Sequence, residues 1–119
     1  SEAKVKKLFL QQFIDIKKDL SLPKNPNNSS EVQQAINEIH MKVSALKDKS
    51  PTSYWLLTGS VQTFTTLVLR ACLAAETKTE FHENYRFSKN LYDTFIEKAY
   101  KHMRDGVLAL HNMDTRFEA

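Results

Sequence analysis

A chain of 119 residues with 41% apolar and 26% charged residues has room for one compact domain and hardly two, and enough core to fold without a disulfide or a metal. Its formal charge of +3 is too mild for a dedicated nucleic-acid binder, and its single cysteine, Cys72, excludes an internal disulfide and fits a reducing, cytoplasmic compartment. Two glycines supply too few positive-φ positions for a fold built on hairpins, and they all but exclude a phosphate-cradling loop.

The charge is unevenly placed. Residues 1–50 hold nine lysines against six acids, whereas residues 51–119 hold eight bases and eight acids, all four arginines among them. The opening Ser1-Glu2-Ala3 carries no initiator Met and no charged-then-apolar leader pattern. It reads as the start of a processed protein or of a domain excised from something larger, with 1–119 forming one helical domain.

The first element runs from about Ala3 to Leu20. Val5, Leu8, Phe9, Phe13, Ile16 and Leu20 recur at the spacing of one helical face, and Lys4, Lys6, Lys7, Lys17 and Lys18 fill most of the remainder. Pro23, Lys24, Asn25, Pro26, Asn27 and Asn28 then form a loop. Ser29 or Ser30 is the expected N-cap of a second helix, about Glu31 to Lys49, with Gln33 completing a capping box. Val32, Ile36, Ile39, Val43 and Leu46 form a narrow 4-3-4-3 stripe on it, the pattern of a bundle core or of a homodimer seam.

Pro51 breaks the chain again and suits the first turn of a third helix, with Ser50 as cap. This helix is the most apolar. Its core candidates are Leu57, Val61, Phe64, Val68, Ala71, Cys72 and Ala75. The uncharged stretch from Tyr54 to Leu69 is too short and too rich in Ser and Thr for a full membrane span. Gly59 inside the helix suggests the close approach of another helix. From Thr77 to Asn84 the chain turns polar, and a fourth helix is expected over about Ser88 to His111. Leu91, Phe95, Ala99, Met103, Val107 and Leu110 form its inner face, broadened by Phe87, Ile96 and Tyr100. The fold class predicted from these elements is all-α, a four-helix antiparallel bundle.

Chemistry is sparse. No zincin helix, EF-hand loop, dinucleotide fingerprint or paired Glu-x-x-His motif occurs. His102 with Asp105, and His111 with Asp114, share helical faces at a spacing of three, but surface side chains on solvated faces explain them better, as they do His40 and His82. Cys72 falls on an apolar face and reads as a small buried hydrophobe. No catalytic residue, metal ligand or cofactor is assigned, and an enzyme with an unrecognised site is the least favoured reading. Two features stand out. One is the lysine set Lys4, Lys6, Lys7, Lys17, Lys18 and Lys24. The other is Tyr54-Trp55-Leu56-Leu57, which cannot all be buried on one narrow helical face. Burial among several helices is the favoured reading of that cluster, and partial exposure the alternative. The expected role is a non-catalytic domain that binds another protein. The alternative is peripheral binding to an anionic membrane through the lysines with Tyr54 and Trp55.

Overall fold

The structure is a computed structural model that describes Lys4, Lys7, Gln11 and residues 15–118, with side chains described up to Gly106 and at Ala109. The expectations for Val5, Lys6, Leu8, Phe9, Phe13, Val107, Leu110, His111 and Asp114 concern side chains outside that set. The described residues form an all-α, four-helix bundle. A first helix, α1, is described at Lys4, Lys7, Gln11 and 15–19. It is followed by α2 (Ser29–Lys49), α3 (Pro51–Leu73) and α4 (Lys78–Glu118).

α2 and α4 begin where the sequence supplies a side-chain cap. The α2 cap is Asn28, one position ahead of the expected serines. Its side chain accepts from the Glu31 amide at 3.0 Å, while the Glu31 carboxylate accepts from the Asn27 amide at 2.8 Å. Asparagine offers the same short acceptor as serine, and the glutamate three residues on completes the reciprocal pair. α4 starts with the same device. Thr77 accepts from the Glu80 amide at 3.1 Å, and the Glu80 carboxylate accepts from the Glu76 amide at 3.1 Å. Thr77-x-x-Glu80 is therefore a helix start, and α4 begins ten residues before the expected Ser88. Pro51 opens α3 after Ser50 as expected. The Ser50 hydroxyl, however, donates to Ser53 Oγ at 2.8 Å rather than capping an amide.

Five contacts across three helix pairs mark the antiparallel course. Lys17 reaches Glu97 and Leu20 reaches Tyr92 between α1 and α4. His40 meets Thr65 between α2 and α3. Phe64 stacks on Phe95, and Asn84 donates to the Ala71 carbonyl at 2.8 Å, between α3 and α4. α3 is the shared element, packed on both α2 and α4. It is long and apolar enough to cross a membrane by length and composition alone. In this fold its inner face includes Ser53 and Thr65, 1% and 0% exposed.

The core follows the expected stripe on α2, with Val32, Ile36, Ile39 and Val43 buried. On α3 it holds Leu57, Val61, Val68 and Cys72. Phe64 is only half-buried, its ring 4.6 Å from that of half-buried Phe95 and nearly parallel to it. The inner face of α4 differs from the expected one. It runs Phe81, Tyr85, Ser88, Tyr92, Ile96, Met103, while Leu91 and Phe87 point outward at 51% and 69% exposure. The reason lies in the tyrosine hydroxyls. Tyr92 donates to the Leu20 carbonyl at 2.5 Å and Tyr85 donates to the Pro23 carbonyl. The two rings can therefore be buried with their polar ends satisfied, and they hold the α1–α2 linker against α4. The threonines of α3 are accommodated in a similar way. Thr63, Thr65 and Thr66 donate to the carbonyls of Gly59, Val61 and Gln62 at 2.7–2.9 Å. Gly59 has no close neighbour: a Cβ built there meets nothing within 4 Å, so the expected close helix approach is absent within this fold.

Candidate interaction surface

The Tyr54–Leu57 cluster divides between inside and outside. Leu57 is 1% exposed. Tyr54 is half-buried against the core and meets the Trp55 ring edge-on at 5.5 Å. Trp55 itself is 74% exposed. The favoured expectation of burial is thus corrected for Trp55: successive helical positions turn by about 100°, and the position before a core leucine by two points away from the seam.

The lysines are dispersed. Lys17 is bound to Glu97 and lies 5.2 Å from the Tyr100 ring centroid, half-buried against α4. Lys4, Lys7 and Lys18 are exposed on α1, and Lys24 is exposed on the linker. Lys6 is outside the described residues.

The histidines separate similarly. His82 is exposed, as expected. His40 is instead half-buried and bonded across the α2–α3 seam to Thr65 Oγ1 at 2.8 Å. The Thr65 hydroxyl already donates to the Val61 carbonyl at 2.7 Å. It therefore accepts from His40, which assigns the proton to Nε2. This is a seam bond, and the space beside it, lined by His40, Val43, Ser44, Thr58, Val61 and Gln62, is only about 90 Å³. Cys72 is buried, with its thiol pKa pushed up by desolvation, the opposite of an activated nucleophile. Among the described residues no group of three or more His, Cys, Asp or Glu side chains could hold a metal ion.

Sequence reasoning missed a surface on the outer side of the α3–α4 seam. Leu56, Ser60, Thr63, Leu67 and Arg70 follow one another on α3 at steps of four and three, and Phe87, Leu91, Thr94 and Lys98 do so on α4. Leu56, Leu67, Leu91 and Phe87 are 46%, 52%, 51% and 69% exposed. The register set by Phe64–Phe95 and by Asn84–Ala71 brings Leu67 level with Leu91. These large apolar side chains therefore share one face instead of scattering over the surface. None of these nine positions is acidic, and the two cations, Arg70 and Lys98, stand toward opposite ends. The available signal was the second heptad stripe on each helix, displaced from the core stripe.

Comparison with known proteins adds no relative: no family model, curated protein or solved structure matches the chain.

Proposed function

We propose that this bundle is a non-catalytic interaction domain that docks an amphipathic helix of a partner protein along the outer α3–α4 seam. The observation that carries the reading is the set of exposed large apolar side chains Leu56, Leu67, Leu91 and Phe87 on the outer side of this seam. Large apolar side chains exposed together on one face usually mark an interface. The outer flank of two antiparallel helices forms a groove that takes a third helix, by the geometry that builds the bundle itself. Charge defines the occupant further. Arg70 and Lys98 are separated along the bundle axis by about three helical turns, so the fitting helix carries carboxylates about three turns apart beside its apolar stripe.

The test places a photo-crosslinking residue at Leu67, at Leu91 and, as control, at exposed Met41 on α2. The proposal expects one protein to be captured from the first two positions and not from the third. Capture should be lost in Arg70→Glu/Lys98→Glu, and a synthetic helix from the captured segment should bind the wild-type domain. Capture independent of position, or cross-links to a second copy alone, would contradict it.

One observation favours a second reading, adsorption to an anionic membrane: Trp55 is exposed and can insert at an interface. The bound state of Lys17 weakens the charge side of that reading. A blue shift of Trp55 fluorescence on anionic vesicles, abolished by Lys4→Glu/Lys6→Glu/Lys7→Glu, would support it. No shift at low salt would exclude it.

A further inference from the structure

We propose a second site, independent of the apolar seam: a binding groove for a phosphomonoester, formed where the α1–α2 linker crosses the first half of α4. The linker is fixed there by the two tyrosine bonds to the Leu20 and Pro23 carbonyls and by burial of Leu20, Leu22 and Pro26. Burying Leu22 and Pro26 leaves Lys24 and Asn25 exposed between them, beside α4. His82, Arg86, Lys89 and Asn90 recur along α4 at steps of four, three and one, on the side facing this linker. Together with Lys24, Asn25, Pro26 and Tyr85 they line an open groove of about 510 Å³.

The chemistry of the lining is one-sided. It holds three fixed cations, a histidine and two amides, and no carboxylate. Lys89 is held at 2.6 Å by Asp93, just outside the groove. Lys24 and Arg86 form no ion pair with any described residue. Arg86 and Lys89, three apart on one helix face, repel each other in the absence of a bound anion. The groove therefore carries a net charge of about +2, counting Asp93, which matches the charge of about −1.5 to −2 on one phosphomonoester near neutral pH. Arg86 supplies a planar, bidentate donor, Lys24 a mobile point charge from the opposite wall, and Asn25 and Asn90 neutral donors. The volume exceeds what a phosphate group alone requires and lies in the range of small-molecule sites. The groove therefore has room for an organic body beside the phosphate group.

The same chemistry is offered by a soluble phosphorylated metabolite and by a phosphorylated lipid headgroup, and one experiment distinguishes them. The isotope-labelled full chain is titrated with glycerol 3-phosphate, followed by amide chemical shifts. In parallel it is sedimented with phosphatidylcholine vesicles containing a tenth of phosphatidylinositol 4-phosphate. Saturable shifts centred on residues 24–26 and 82–90, weakened about tenfold or more in Arg86→Gln and in Lys24→Gln, support the site with a soluble ligand. Vesicle binding lost in the same variants supports it with a lipid headgroup. Lys47→Gln, on α2 and outside the lining, should change neither, and circular dichroism confirms that each variant is folded. No saturable shift and no vesicle binding, or equal losses in Lys47→Gln, would overturn the proposal.

Discussion

Replacing Tyr92 by phenylalanine removes one oxygen from the centre of the molecule and little else. The side chain is 0% exposed and its hydroxyl donates at 2.5 Å to the carbonyl of Leu20, a residue itself 1% exposed. The ring packing survives the substitution, while the Leu20 carbonyl is left buried without this donor. An orphaned buried acceptor costs about 1–3 kcal/mol. At roughly 3–6 °C per kcal/mol for a chain of this length, a cost near the middle of that range lowers the melting temperature by about 6–12 °C. The bond from Tyr85 to Pro23 is partly open to water, so Tyr85→Phe should cost less, about 1 kcal/mol. Urea unfolding followed by circular dichroism measures both, with the midpoint moving at constant slope.

The same bonds give a signature in alkali. Burial raises both phenol pKa values above the ordinary range, assisted by the Asp93 charge at Tyr92 and by Cys72 and then Asp93 at Tyr85. A phenol whose folded pKa is raised contributes its full stabilisation below the unfolded value of about 10, and loses it as pH climbs from there toward the folded pKa. Wild-type protein should therefore lose stability from about pH 10 upward. Tyr85→Phe/Tyr92→Phe, less stable at neutrality, should lose less over the same interval. A cost for Tyr92→Phe below about 0.5 kcal/mol, or an unchanged alkaline slope in the double variant, would refute the assigned inner face of α4.

Other expectations are simpler. Asn28→Ala and Thr77→Ala should each lower the unfolding free energy by about 1 kcal/mol, since each removes the acceptor side of a reciprocal cap. Gly59→Ala should raise it by up to about 1 kcal/mol, because the position is helical and a Cβ meets nothing within 4 Å. Native protein should resist thiol reagents at mildly alkaline pH, with Cys72 reacting only as fast as the chain unfolds. Rapid stoichiometric labelling would contradict its burial.

The parts legible in the sequence were those governed by hydrophobic period. The α2 stripe from Val32 to Val43 and the α3 residues Leu57, Val61 and Val68 are inside as their spacing predicts. On α4 apolarity misled, because Phe87 and Leu91 outrank Tyr85, Ser88 and Tyr92 on any transfer scale. The buried tyrosines become favourable only once the linker supplies carbonyl acceptors, and no local pattern contains that tertiary fact. The start of α4 was written in Thr77-x-x-Glu80 but masked by the polarity of its first turns. Trp55 was ambiguous for the opposite reason: a helix apolar on several sides does not declare which side is closed. The linker groove was illegible beyond Lys24, since His82, Arg86 and Lys89 gain their neighbour only when the chain folds back across α4.

The central claim is that the outer α3–α4 seam is apolar for a partner and not for the fold. Measuring the unfolding free energies of Leu67→Glu and Leu91→Glu beside Val68→Ala tests it most directly. A seam reserved for docking predicts changes within about 0.5 kcal/mol for each glutamate variant, against about 2 kcal/mol or more for truncating Val68, which is 1% exposed. Losses at Leu67 and Leu91 as large as the loss at Val68 would make the seam part of the core and contradict the account.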